Sequence, residues 1–195
     1  LIEENGKFLP RDENAYGPDI VSNYAINFIK RNKEQPFFLY YPMLLVHGPF
    51  VPTPDSQEWK CIETKSKKDN KFFTEMVSYM DKIIGKIVNE LKVQGIAENT
   101  LLFFVGDNGT FTSLVSQTEN GPIRGGKGNT ITHGNHVPLI ANWPNKIKNP
   151  RNYSGLINFT DFYATFTDIL GVHNKSDGTS MMDVFANEII EKRKT

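Results

Sequence analysis

Residues 100–110 read Thr100-Leu101-Leu102-Phe103-Phe104-Val105-Gly106-Asp107-Asn108-Gly109-Thr110. The apolar run from Leu101 to Val105 has strand length and no polar alternation, which suits a strand covered on both faces. It delivers a carboxylate and an amide to its carboxyl end, and Gly109 permits a tight turn there. Ligand sites in open α/β sheets gather beyond the carboxyl ends of strands. Asp107 and Asn108 offer oxygen donors of the kind hard cations such as Ca²⁺ or Mg²⁺ take, although Asp-Asn-Gly is also an ordinary turn after a strand.

Outward from this stretch, strand-like and helix-like segments alternate. Upstream, Phe73, Met76, Val77, Met80, Ile83, Ile84, Ile87, Val88 and Leu91 hold the 3.6-residue period and predict a helix ending at Gly95. Before it, Pro36-Phe37-Phe38-Leu39-Tyr40-Tyr41-Pro42 predicts a second doubly buried strand. Gly17-Pro18-Asp19 opens a helix with apolar positions Ile20, Val21, Tyr24, Ala25, Phe28 and Ile29. Residues 1–15 read as an irregular lead-in, 43–71 as a long connection, and 109–136 as loop. Downstream, residues 137–143 predict a third strand, Asp161 to Leu170 a helix stopped by Gly171, and Asp183–Thr195 a last helical segment. The pattern implies an α/β domain with a mostly parallel sheet.

Composition narrows the function. Of 195 residues, 38% are hydrophobic and 23% charged, which fits a packed core and not a disordered chain. Lys plus Arg is 22 and Asp plus Glu is 22, so the basic excess of a non-specific nucleic-acid or membrane-surface binder is missing. No apolar run is long enough to span a bilayer, and no signal peptide is visible at the first residues. The single cysteine, Cys61, excludes an internal disulfide and a multi-cysteine metal site.

Two further loops carry candidate chemistry. Gly125-Gly126-Lys127-Gly128-Asn129-Thr130 sets an ammonium among glycines whose backbone can approach an anion. It lacks the G-x-x-x-x-G-K-[ST] order of a nucleotide P-loop and precedes a strand; a flexible surface loop is the other reading. His47, in Leu44-Leu45-Val46-His47-Gly48-Pro49-Phe50, follows the expected strand and can donate to an anionic oxygen or act as a proton donor, though a lone histidine is often a bystander. His133 and His136 lack the helical spacing of a zincin. No G-x-S-x-G elbow supplies a hydrolase serine. Asn-x-Ser/Thr matches at Asn108, Asn152, Asn158 and Asn174 are short enough to arise by chance.

Taken in order, four blocks resemble arylsulfatase-type sulfatases. They are Pro36–Tyr41 with Val46-His47-Gly48-Pro49-Phe50-Val51-Pro52-Thr53-Pro54-Asp55; Phe104-Val105-Gly106-Asp107-Asn108-Gly109-Thr110; Arg124–Thr130 leading to His136-Val137-Pro138-Leu139-Ile140 and Trp143-Pro144; and Asp161–Thr165 with Asp168-Ile169-Leu170-Gly171. The resemblance runs from about Tyr16 to Ser180. It implies an alkaline-phosphatase-like fold, a mostly parallel sheet flanked by helices, and hydrolysis of sulfate esters on a glycan or aryl compound. By resemblance, Asp107 and Asn108 correspond to late ligands of a divalent cation, Ca²⁺ with Mg²⁺ as the other choice. Lys127 corresponds to the lysine that contacts sulfate, His47 to the histidine at the sulfate and leaving-group oxygens, and His136 to a substrate contact.

Such enzymes make a formylglycine nucleophile from a Cys/Ser-x-Pro/Ala-x-Arg motif. Cys61, in Lys60-Cys61-Ile62-Glu63-Thr64, has neither the proline nor the arginine, and the early acidic metal ligands have no counterpart here. Residues 1–195 are therefore expected to form a single partial sulfatase domain, without the amino-terminal nucleophile-bearing part or the carboxyl-terminal subdomain. The isolated chain is expected to be inactive. The resemblance implies a periplasmic, extracellular or lysosomal setting. A phosphodiesterase or phosphonate hydrolase of the same fold and a non-catalytic sulfoglycan-binding protein are the alternative readings.

Overall fold

The computed structural model describes residues 2–172 and 175–186. They fall into two compact units, one comprising the chain up to Ala97 with Phe103–Ala141, the other Glu98–Leu102 with the described residues from Asn142 onward.

The larger unit starts with a hairpin, β1 (Glu3–Glu4) and β2 (Lys7–Phe8), paired antiparallel. It replaces the irregular lead-in expected for residues 1–15. Its turn is Asn5-Gly6 with φ 51° and 78°, the left-handed pair that a two-residue hairpin of matching twist requires. Helix α1 spans Gly17–Asn32 with Pro18 in its first turn, where the missing N–H costs no hydrogen bond. Its buried line is Ser22, Ala25 and Ile29. Tyr24, expected on that stripe, is exposed, and Ser22 replaces it by donating to the Asp19 carbonyl at 3.0 Å.

Helix α2 spans Phe72–Val93 and buries Phe72, Met76, Tyr79, Ile83 and Leu91. It stops as expected at Gly95, whose φ is 73°. Gly95 N–H donates to the Lys92 carbonyl and Ile96 N–H to that of Leu91, the paired bonds of a Schellman cap. Tyr16, Leu45, Phe50 and Leu114 close a core on this helix. A polar link joins the two helices: Tyr79 donates to Asp19 Oδ2 at 2.6 Å and Lys86 Nζ lies 3.3 Å from Asp19 Oδ1.

Strand β3 (Leu102–Val105) hydrogen-bonds to β6 (Leu139–Asn142) in a two-stranded sheet. Between them lie an antiparallel hairpin, β4 (Val115–Thr118) with β5 (Gly121–Arg124), and the single turn α3 (Thr132–Asn135). The hairpin corrects the expectation of loop throughout 109–136. Its turn is set by Gly121 at φ 102°, a conformation glycine adopts without penalty.

The expected strand at Pro36–Pro42 does not form a ladder among the described residues. The segment has alternating cover: Phe37 stacks edge-on against Phe28 at 5.7 Å, whereas Phe38 and Tyr40 are 69% and 77% exposed. An apolar run shows that cover is favourable, not how many faces receive it, and here one face does. Likewise, the described residues form three separate two-stranded sheets, not one continuous mostly parallel sheet.

In the smaller unit, α4 (Thr160–Ile169) ends in a second Schellman cap at Gly171, φ 66°. Its buried Asp161 accepts N–H bonds from Asn158 at 2.7 Å and Thr179 at 2.8 Å, and the buried Thr165 hydroxyl accepts from Met181 N–H at 2.9 Å. These bonds tie the segment before α5 (Met182–Ala186) to α4. The rest of the last expected helix lies outside the described residues, as does Asn174.

Candidate functional site

Three of the expected loops meet backbone to backbone, and glycines make this possible. Gly109 N–H donates to the Gly134 carbonyl at 2.8 Å, and Lys127 N–H to that of Thr110 at 3.0 Å. A Cβ on Gly109 would stand 1.9 Å from the His133 carbonyl oxygen; one on Gly126 would stand 2.7 Å from the His133 carbonyl carbon. One on Gly125 would meet the Phe111 oxygen at 2.2 Å. The Asp107–Phe111 loop, the Lys127 loop and the α3 turn therefore form one bracket. It could not close at this spacing around residues that carry side chains.

At the strand end, Asp107 is exposed and Asn108 half-buried. Neither side chain makes a hydrogen bond or ion pair among the described residues, so their oxygen lone pairs are uncommitted. That donor chemistry fits a hard cation. No group of three or more His, Cys, Asp or Glu gathers anywhere among the described residues, so these two donors would be a minority of a shell of six or more. Lys127 is half-buried, with its backbone fixed by the Thr110 bond. His133 and His136 both sit on the exposed side of the α3 turn, and His136 N–H caps that turn on the Thr132 carbonyl.

His47 is held separately. Its N–H donates to the Leu44 carbonyl at 3.0 Å, and its Nδ1 faces the Gly48 carbonyl at 2.7 Å. A carbonyl only accepts, so Nδ1 carries the proton and Nε2 is left for a ligand. The Pro52–Asp55 stretch, quoted above only for its resemblance, anchors this loop. Thr53 N–H donates to Ser56 Oγ at 2.8 Å, Ser56 donates to Glu75 of α2, and Asp55 pairs with Lys82 at 2.8 Å. Phe50 is buried and its ring meets Phe111 at 6.1 Å, so the His47 loop and the Asp107–Phe111 loop share an aromatic contact.

A cleft of about 620 Å³ lies along this contact, lined by Pro49, Phe50, Lys68, Asp69, Asn70 and Phe111 among others. Lys68, Asp69, Asn70 and Phe111 belong to stretches, near 55–70 and 111–123, whose sequence carries no readable specificity code. Lysines in a long connection and a phenylalanine after a turn carry no spacing code, and only the fold joins them.

Oxygen donors at a strand end, a lysine in a glycine loop and a histidine with a free ring nitrogen all lie on loops of this chain, where ligand sites of α/β proteins gather. The chain belongs to the sulfatase family: the family model described as Sulfatase matches residues 4–172. It is 33% identical over 162 residues to an N-acetylgalactosamine-6-O-sulfatase of Bacteroides thetaiotaomicron, covering 78% of this chain and 30% of that protein. With human N-acetylgalactosamine-6-sulfatase it shares 31% identity over 158 residues, 78% of this chain and 28% of the other. Among solved structures it resembles Ps i-CgsB with a TM-score of 0.77 and 32% identity, over 95% of this chain and 41% of that one. The chain spans about 30% of the length of the curated relatives it matches.

Proposed function

We propose that this chain forms part of the active site of a sulfuric ester hydrolase with an alkaline-phosphatase-like fold, acting on sulfated glycans. The bracket of three glycine-packed loops supports the proposal, because the loops that carry Asp107, Asn108 and Lys127 are joined by the backbone bonds Gly109–Gly134 and Lys127–Thr110. Asp107 and Asn108 would supply two of the ligands of a Ca²⁺ or Mg²⁺ ion, which when bound lends positive charge to sulfate oxygens as the S–O bond breaks. Lys127 binds a sulfate oxygen as a point charge on a fixed backbone. His47, with Nδ1 committed to Gly48, presents Nε2; in the imidazolium form it holds the leaving-group oxygen and delivers a proton to it. His136, exposed at the end of the α3 turn, would serve as a substrate contact. A glycan substrate draws support from relatives named as N-acetylgalactosamine-6-sulfatases and from a similar structure solved with k-i-k-neocarrahexaose.

The sequence holds no Cys/Ser-x-Pro/Ala-x-Arg motif, so the 195-residue chain is proposed to bind without turning over. The test pairs an aryl-sulfate assay with Ca²⁺ titration calorimetry on the purified chain. No turnover is expected, together with Ca²⁺ binding in the range of about 0.1–1 mM that a poorly filled shell allows. Asp107→Asn and Asn108→Ala should abolish the binding. Turnover lost in His47→Ala or Lys127→Ala would overturn the inactivity, and Ca²⁺ binding unaffected by both ligand changes would overturn the metal assignment.

A further inference from the structure

We infer that Asn135 is a positioning residue for Lys127: its side-chain amide holds the glycine turn that carries the lysine against α3. The inference rests on the sulfatase reading above and deepens it, since it names what aims the ammonium at an anion. A lysine ends in a point charge on a flexible stem, so the fold can aim it only by fixing its backbone.

Lys127 occupies one corner of the turn Gly126-Lys127-Gly128-Asn129. The turn is closed by the Asn129 N–H, which donates to the Gly126 carbonyl at 2.9 Å, and Gly128 takes φ 84°. A type II turn requires a positive φ at its third position, and glycine supplies it without strain. Asn129 adds its side-chain Nδ2 to the same Gly126 carbonyl at 3.3 Å. The Lys127 N–H bond to the Thr110 carbonyl ties down the entry side of the turn.

The exit side depends on Asn135. One end of its amide lies 3.0 Å from the Asn129 carbonyl oxygen and 3.0 Å from that of Ile131. Carbonyls only accept, so this end is Nδ2, which donates one N–H to each. The Asn129 carbonyl needs that donor. It faces buried Gly134 so closely that a Cβ there would stand 2.0 Å from its oxygen, which shuts that side to water. No backbone N–H donates to it among the described residues. The Ile131 carbonyl is different, because it also accepts from Gly134 N–H at 2.8 Å and Asn135 N–H at 3.2 Å. The amide is therefore redundant for α3 and decisive for the lysine turn. Asn135 is itself exposed, so its substitution opens no cavity. Without the amide the exit side swings on Gly128, and Lys127 spends only part of its time where it meets an anion. Apparent affinity falls by that fraction.

The experiment uses the intact chain with Ca²⁺ present and inorganic sulfate as the probe. Amide exchange reads the turn before any sulfate is added. Asn135→Ala, and Asn135→Asp with the same shape but no donor, should each speed exchange at Asn129 roughly fivefold, the weight of one hydrogen bond. Gly109, bonded to Gly134, should stay protected. Sulfate affinity, followed by NMR titration, should fall roughly three- to tenfold in Asn135→Ala, and the same change made on Lys127→Ala should add nothing. Unchanged exchange at Asn129 would overturn the inference. Acceleration shared equally by Gly109 would do the same, since that marks general support of the fold and no aim at the lysine. An affinity loss of equal size with and without Lys127 also sinks it. A wild-type chain that fails to bind sulfate, or binding indifferent to Lys127→Ala, refutes the sulfate site instead. The exchange pattern alone then decides whether Asn135 holds the turn.

Discussion

Adding one methyl group at Gly109 should break the bracket that holds the candidate site. In Gly109→Ala the new Cβ stands 1.9 Å from the His133 carbonyl oxygen and 2.8 Å from Gly134 Cα, both backbone atoms that no rotamer change can move. Reaching the 3.0 Å that real contacts respect requires the α3 turn to retreat by about 1.1 Å. That movement stretches the 2.8 Å bond from Gly109 N–H to Gly134, and the neighbouring Lys127–Thr110 bond shares the strain. Overpacking of this kind costs about 1–3 kcal/mol, and one lost hydrogen bond adds about 1 kcal/mol. The expected destabilisation is therefore about 2–4 kcal/mol. In urea, with a slope of about 2 kcal/mol per molar, the midpoint falls by roughly 1–2 M. Gly85→Ala is the internal comparison. This glycine lies inside α2, and a Cβ there meets nothing within 4 Å, so it should gain up to about 1 kcal/mol from helix propensity. Urea unfolding of both variants, followed by circular dichroism, should show shifts of opposite sign. Amide exchange should accelerate at Gly109 and Lys127 in the first variant alone. A loss under about 0.5 kcal/mol in Gly109→Ala, with those amides still protected, would refute the close-packing argument.

Three further outcomes are expected. Tyr79→Phe removes the bond to Asp19 and should cost about 1 kcal/mol. Burial, followed by the Asp19 hydrogen bond, pushes the Tyr79 phenol well above its ordinary 10.0, and burial with Asp19 nearby pushes Tyr16 up to about 12. The folded chain thus holds these protons more tightly than the unfolded one, so stability should be level below pH 10 and fall as pH rises above it. Denaturant titrations in that range should give a shallower fall for Tyr79→Phe. Asp161→Ala strips the acceptor from the Asn158 and Thr179 N–H groups and should destabilise the smaller unit by about 3 kcal/mol, with fast amide exchange at Thr179 as the local readout. Trp143 buries an indole N–H that has no partner among the described residues, so Trp143→Phe should change stability by less than about 1 kcal/mol, since it removes an unsatisfied group along with contact area.

Local rules made much of this chain readable before folding was considered. Proline in the first turn of α1 and the 3.6 period of α2 set their spans, and the glycines at 95 and 171 set the ends of α2 and α4; all are properties of neighbouring residues. Two further turns are also local in origin: Asn5-Gly6, a hairpin turn by its left-handed preference, and Gly121, which closes the β4–β5 turn. The residues proposed for the site, Asp107, Asn108, Lys127 and His47, were picked out by the order of four blocks that resemble the family, and not by any one local pattern.

Cover and assembly lie beyond what short-range pattern can express. Phe37–Tyr41 reads as doubly buried because its side chains are apolar throughout, yet whether a strand gains one neighbour, two or none depends on segments far along the chain. Thr53, Ser56, Glu75 and Lys82 look unremarkable in sequence, and only the approach of α2 to the His47 loop turns them into an anchor. Phe111, Lys68 and Asn70 converge on one cleft for the same reason. Helices α1, α2 and α4, the glycine caps of α2 and α4 and the family to which the chain belongs were readable from the sequence, since these follow from residues a few positions apart. The tertiary structure alone decided that glycines 109, 125, 126 and 134 close one bracket, because steric exclusion at 2–3 Å acts between backbones that the sequence separates by up to 25 residues.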